Sequence, residues 1–180
     1  MDSDIKKKMQ EAKDWLKKEY SGIRTGQANP SLLDSVKVES YGSFMSLNQL
    51  GSIGSEDART LRISPWDNSQ TTAIEKAIRE ADLGISVVTD STGLRAIFPE
   101  LTSERREQLM KLAKSKLEDA RISVRSVRDE VMKQIDKLEK SGEISEDEKF
   151  SKKESVQADV TKTNNELDLL FAQKEQELKN

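Results

Sequence analysis

The sequence predicts an α+β fold, a bundle of three long helices interrupted by a small mixed α/β domain. Three observations carry this. The helix breakers are confined: all three prolines lie between Pro30 and Pro99, six of the eight glycines lie between Gly26 and Gly93, and from 100 onward Gly142 stands alone. Apolar residues recur every three or four positions at both ends of the chain. The middle instead carries short period-two alternations.

The first helix covers residues 2–24, with Ile5, Met9, Ala12, Leu16, Tyr20 and Ile23 as its apolar stripe. Gly26 is expected at the C′ position, and Pro30 bars continuation. The middle opens with a strand at Val36-Lys37-Val38-Glu39 and continues with another at Thr60-Leu61-Arg62-Ile63. Thr72 and Glu75 have capping-box spacing before a short helix to about Ala81, with Gly84 as its stop. Ile85–Val88 and Leu94–Phe98 flank Asp90-Ser91-Thr92-Gly93 as a hairpin.

The second long helix spans 103–139, with Leu109, Ala113, Leu117, Ala120, Val124, Val127, Val131, Ile135 and Leu138 on one face. It is about 55 Å long at 1.5 Å per residue. Thr102 or Ser103 caps its start, and Gly142 ends it. Ser145 and Glu148 form the capping box of a third helix, whose sparser stripe is Val156, Val160, Leu167, Leu170 or Phe171, and Leu178. The short 140–145 connection makes these two helices an antiparallel hairpin.

The expected domains are therefore 1–29 with 103–180 as the bundle, and 30–102 as the insert. Two strands of chain join them, near Ala28-Asn29-Pro30 and Glu100-Leu101-Thr102. They can serve as a hinge, or the insert can pack rigidly on the bundle. The pattern leaves both open.

Composition excludes several functions. With no Cys and no His, there is no disulfide scaffold, no thiol or Ser-His-Asp catalysis, and no zinc site built on those ligands. The acidic start Met1-Asp2-Ser3-Asp4 resembles neither a signal peptide nor a transit peptide. No apolar run approaches the roughly 20 residues of a membrane span. Nor is there a GxxxxGK[ST] or GxGxxG phosphate loop; Gly51 and Gly54 are too isolated to count. Asp67 and Asp82 read as turn or capping residues rather than catalytic ones.

The net charge is −3, but it is polarised. Residues 30–102 hold 6 basic and 10 acidic residues, 105–128 hold 8 and 3, and 139–180 hold 7 and 11. At 100° per residue Lys111, Lys114, Arg121, Arg125 and Arg128 fall within about 100° of arc, a ladder about 25 Å long. Glu118 is the only acid inside it. Arginine forks fit phosphate bidentately, so the ladder suits a nucleic-acid backbone read by shape. It equally suits a solvated face laced by pairs such as Glu118–Arg121 and Arg125–Asp129. Without interleaved aromatics it does not suit stacking on single-stranded bases.

An ordered set of segments carries a resemblance. It begins with Ile23-Arg24-Thr25-Gly26-Gln27-Ala28-Asn29-Pro30-Ser31-Leu32-Leu33-Asp34 and continues through Tyr41-Gly42, Leu47–Leu50, Ala58–Leu61, Pro65-Trp66-Asp67, Ala73–Ile78 and Asp82-Leu83-Gly84. Leu101–Arg106, Val124-Arg125-Ser126-Val127-Arg128 and Gly142–Glu148 complete it. Together they resemble the ribosome recycling factor family over nearly the whole chain. The resemblance implies an L-shaped, monomeric, cytoplasmic protein, with a three-helix bundle and a small β/α/β domain on a flexible hinge at Ala28, Asn29, Pro30, Glu100, Leu101 and Thr102.

It further implies binding between the ribosomal subunits after termination, with the bundle on large-subunit ribosomal RNA. Elongation factor G and GTP then drive subunit dissociation, with release of mRNA and tRNA. No active site, cofactor, metal, membrane or small-molecule substrate is implied. The implied RNA contacts are Arg24, Arg125 and Arg128, joined by Lys111, Lys114 and Arg121 of the ladder. Arg24 is also explained as a cation in the last turn of the first helix.

Three departures stand out. Gln27 replaces a usual Arg, Asp129-Glu130-Val131 replaces an Arg-Asp-Ala continuation, and Pro99-Glu100 replaces a proline pair. The lost charges are expected to weaken RNA affinity and its salt dependence. A helical adaptor or chaperone-like module is the alternative, and it would present an exposed apolar stripe.

Overall fold

The computed structural model describes residues 2–179. Within it the chain forms two compact units. One comprises the chain up to Tyr20 with Met110–Gln176, the other Ser21–Leu109 with the chain from Glu177.

The first unit is helical. It is built from α1 (Asp2–Ser21), most of α4 (Ser103–Lys140) and most of α5 (Glu146–Lys179). The stripe of α1 is buried as its spacing predicts, from Ile5 to Tyr20. Facing stripes come from Ala113, Leu117, Ala120, Val124, Val131 and Ile135 of α4, and from Val156, Val160 and Leu167 of α5. Each fully buried Leu or Ile among them contributes about 1.5–3 kcal/mol of transfer free energy.

Cross-helix partners fix the directions. Glu19 meets Lys116 and Lys8 meets Glu130, so α1 and α4 run antiparallel. Arg121 meets Asp168 and Asp136 meets Lys153, so α4 and α5 do too. The α4–α5 connection follows the expected chemistry. Gly142 (φ 79°) closes a Schellman motif, in which the Glu143 N–H donates to Leu138 O and the Gly142 N–H to Glu139 O. The Ser145–Glu148 capping box is closed in both directions, at 2.8 and 3.2 Å. At the other end of α4, Thr102 Oγ1 accepts the Arg105 N–H at 3.1 Å.

The second unit holds a hairpin of β1 (Lys37–Ser40) and β2 (Ser43–Ser46), then the short helix α2 (Leu47–Leu50). A four-stranded antiparallel sheet follows, made by β3 (Gly51–Asp57), β4 (Thr60–Pro65), β5 (Ser86–Asp90) and β6 (Gly93–Ile97) in the order β3-β4-β6-β5. The helix α3 (Thr71–Glu80) lies between β4 and β5 in sequence. Ile74 and Ile78 of α3 pack with Val38, Leu61, Ile63, Leu94, Ala96 and Phe98 into one core. Gly93 is required where it stands, because a Cβ there would lie 2.3 Å from the Ile63 carbonyl oxygen.

Several expectations are corrected. α1 ends at Ser21, and Gly26 has no left-handed φ, so it is not the C′ residue. The Thr72–Glu75 box does not form. α3 starts two residues earlier, with Gln70 rather than Thr72 at the N-cap after a 3₁₀ turn, and Glu75 instead accepts from Arg79 and Thr89. The turn after α3 uses Asp82 (φ 49°) as well as Gly84. Val127, Leu138, Leu170 and Phe171 are half-buried, whereas Thr163 and Lys174 occupy buried positions on α5. Thr163 is accommodated by donating its hydroxyl to Asp159 O at 2.8 Å. β2, α2 and β3 had no distinct sequence signal.

Candidate nucleic-acid interface

α4 positions the basic face. Its apolar stripe fixes the rotation of the helix, and this leaves Lys111, Lys114 and Arg125 exposed, with Arg121 and Arg128 half-buried at their stems. The five cations differ in what holds them. Lys111 and Lys114 have no hydrogen-bond or ion-pair partner among the described residues. Arg121 reaches across to Asp168 of α5 and lies 4.0 Å from Glu118. Arg125 lies 3.9 Å from Glu118.

Arg128 does not stand free. Its Nε and Nη2 donate to Asp129 Oδ1 at 3.0 and 2.8 Å. The expected Arg125–Asp129 pair is therefore replaced by a pair with the next residue. The expectation that Glu118 is the only acid in the ladder is corrected twice: Asp129 of α4 holds Arg128, and Asp168 of α5 holds Arg121, a partner that no spacing within one helix reveals. Lys133 continues the exposed basic face beyond Asp129 and was also missed. Lys116, by contrast, points elsewhere: it pairs with Glu19 at 3.0 Å and lies 5.7 Å over the Trp15 ring.

Arg24 belongs to the second unit. It follows the end of α1 by three residues, so the helix dipole does not account for it. Its guanidinium donates to Pro99 O, tying the first connection to the second. Its Nε is buried and has no hydrogen-bond partner among the described residues. Burial, and then the neighbouring Arg105, press its pKa down from the ordinary guanidinium value.

The six connection residues are individually engaged. The Ala28 N–H donates to Ala58 O at 2.8 Å. Asn29 caps the 3₁₀ turn Pro30–Leu33 by accepting the Ser31 N–H at 3.0 Å, with Pro30 at its first position. Glu100 pairs with Arg59 at 3.0 Å, Leu101 is buried, and Thr102 caps α4. Gln27 is exposed, its own N–H turned back to Thr25 Oγ1. Asp67 is a capping residue, accepting the Ser69 N–H at 2.9 Å.

The residues matched by the family model for ribosome recycling factor are 16–178. The chain belongs to the ribosome recycling factor family. It is 42% identical over 175 residues to the factor of Methylorubrum extorquens, with 97% of this chain and 94% of that one covered. Identity to the factor of Bartonella tribocorum is 43%, with the same coverage. A solution structure of a ribosome recycling factor superposes with a TM-score of 0.78 at 37% identity, covering 98% of this chain and 94% of that one. A second match has a TM-score of 0.67 at 36% identity, covering 98% and 95%. It is the T. thermophilus factor, described with the E. coli elongation factor G bound to the E. coli post-termination complex.

The adaptor alternative asks for an apolar stripe. The exposed large apolar residues of α4 and α5 are instead far apart along each helix, Leu112 from Ile122 and Phe150 from Leu169. Among the described residues no helix is long and apolar enough to cross a membrane. No group of three or more Asp or Glu among them could hold a metal ion.

Proposed function

We propose that this chain performs the work for which its family is named. It binds the post-termination ribosome between the subunits and, with elongation factor G and GTP, promotes subunit dissociation and release of mRNA and tRNA. It contributes binding energy and position, and no chemistry of its own. The single observation that supports the RNA contact is the basic face of α4, set beside the buried stripe that fixes the rotation of the helix. Lys111, Lys114, Arg121, Arg125 and Arg128 would meet ribosomal RNA phosphates there. The carboxylates Glu118, Asp129 and Asp168 hold the three arginines until phosphate displaces them.

In this proposal Arg24 ties the two connections through Nη2 on Pro99 O and meets RNA phosphate with the donors that bond leaves over. The insert 30–102 swings on those connections, with Ala28, Asn29, Pro30, Glu100, Leu101 and Thr102 as the hinge. The partner makes the cytoplasm its place of work and the monomer its working form.

The test is co-sedimentation with vacant ribosomes over a salt series, followed by splitting with elongation factor G and GTP. Binding is expected to weaken steeply with salt and to be lost in an Arg125→Ala, Arg128→Ala double variant. Salt-independent binding, or an unaffected double variant, would reject the α4 face as the contact.

A further inference from the structure

Two residues of the second unit hold both connections. β3 and β4 are joined by the two-residue turn Ala58-Arg59, with Asp57 paired to Thr60 across it. Ala58 O accepts the Ala28 N–H at 2.8 Å, and Arg59 O accepts the Phe98 N–H at 2.7 Å. The Arg59 side chain then reaches past Phe98, and its Nη1 lies 3.0 Å from Glu100 Oε1. Ala28 belongs to the first connection and Glu100 to the second, and Arg24 joins the two directly through Pro99 O. All of these residues lie within the second unit.

The turn is shaped for this role. A turn on the surface ordinarily gives its carbonyls to water. Here the Arg59 N–H is turned back to Asp57 Oδ1 at 2.8 Å, and Ser55 Oγ donates to Asp57 O at 3.2 Å. The same Arg59 N–H is the chief reason that the Asp57 carboxyl is held below its ordinary value. Glu56, just before, is the extra residue of a β-bulge, a device that re-aims the end of a strand. Arg95 fixes it, with Nε and Nη2 donating to its carboxylate at 2.9 and 2.7 Å. The turn is thus braced from within, and the carbonyls of Ala58 and Arg59 are left to the connections.

Bonding both connections to one turn changes what they can do. Two free strands of chain each flex about their own φ and ψ, so whatever they carry can shear and twist as well as swing. Strands bonded to one turn, and to each other through Arg24, cannot change independently. Parting them breaks two backbone hydrogen bonds and an ion pair. A push on the insert is then passed into both connections together instead of being absorbed as slack in either.

We propose that the β3–β4 turn is a clasp on the two connections, and that Arg59 is a positioning residue for recycling, acting through Glu100 to keep the connections in register while the insert moves. The proposal rests on the recycling function above and names what makes two single strands of chain behave as one strap.

Three variants test it. Arg59→Glu sets two carboxylates against each other and leaves the turn carbonyls in place. Adding Glu100→Arg to it restores an ion pair of reversed sense. Ala58→Gly with Arg59→Gly loosens the turn itself. Each is compared with the unaltered chain in Tm, in binding to vacant ribosomes without elongation factor G, and in splitting as elongation factor G is titrated. Arg59→Glu is expected to leave Tm and ribosome binding nearly unchanged and to lower the maximal splitting rate about two- to fivefold, the scale of one exposed ion pair. The elongation factor G needed for half-maximal splitting should stay the same. The charge-reversed pair should recover the rate, and the glycine pair should lose more than Arg59→Glu. Native-state hydrogen exchange reads the clasp directly, with the Ala28 and Phe98 amides protected in the unaltered chain and faster in the glycine pair.

An unchanged splitting rate in Arg59→Glu, or no recovery in the charge-reversed pair, would overturn the proposal. Weakened ribosome binding in the absence of elongation factor G would overturn it as well, since Arg59 would then meet the ribosome itself. So would unprotected Ala28 and Phe98 amides in the unaltered chain. If the unaltered chain fails to split ribosomes, the recycling function falls, a result distinct from each of these.

Discussion

At the scale of single residues, the partners of the arginines matter more than their number. Asp129 follows Arg128 directly, and its carboxylate takes both donors offered by one edge of that guanidinium. Phosphate must displace it. Asp129→Ala removes both the competitor and a repelling charge, so ribosome affinity is expected to rise. The slope of log affinity against log salt should steepen by about one unit. Co-sedimentation over a salt series reads both, and an unchanged slope would mean that Arg128 does not meet phosphate. Tyr20 is a second instance of a side chain fixed by its setting. Its hydroxyl donates to Ala113 O at 2.8 Å inside the helical unit, and burial pushes its pKa from 10.0 up to about 12. Between those values the folded chain keeps a proton that the unfolded chain has lost. The stabilisation is therefore full below pH 10 and declines as pH rises towards 12. Tyr20→Phe is expected to cost about 1 kcal/mol at neutral pH. It should also flatten the alkaline fall in stability, seen by comparing denaturant midpoints of the two proteins from pH 9 to about 12.

At the scale of elements, the α4–α5 connection shows what the sequence makes legible. Ser145 and Glu148 sit at fixed spacing from each other and from Gly142, and the structure closes both the capping box and the Schellman motif. Ser145→Ala is expected to cost about 1 kcal/mol and to lower Tm by about 2–4 °C. Calorimetry checks this, and no change in Tm would show the cap to be redundant. Local rules of this kind, with the helical stripes, gave the long helices and much of the insert. They failed where the deciding partner is remote in sequence. Thr72 and Glu75 have capping spacing, yet Glu75 is drawn to Thr89 of β5 and, within α3, to Arg79. Lys174 and Thr163 hold buried positions that apolar periodicity gives to other residues. β2 and β3, rich in Ser and Gly, lack the β-branched alternation that marks a strand, and pairing with neighbours defines them. The basic ladder was legible for the same reason as the stripes, because its positions share one helix. Asp168, its partner from α5, was not.

At the scale of the whole molecule, a net charge of −3 conceals a polarised distribution, with a cationic face on α4 and an acidic stretch at 30–102. An acidic molecule approaching ribosomal RNA is repelled at long range, so its local cations must act at short range, where salt competes directly. Lys111 and Lys114 are the clearest case, exposed and with no partner among the described residues. Nothing within the fold has to be broken before they meet phosphate. Replacing both with alanine is expected to leave Tm unchanged and to reduce the slope of log affinity against log salt by about 1.4–1.8, at 0.7–0.9 per phosphate contact. Arg121→Ala should behave differently. It removes one phosphate contact but also leaves Asp168 unpaired beside the RNA, so affinity at low salt falls further than the slope alone would give. Ribosome binding measured from about 50 to 200 mM salt separates the two patterns. If the lysine pair changes neither slope nor affinity, the RNA-facing part of α4 begins after Lys114, and the contact narrows to Arg121, Arg125 and Arg128.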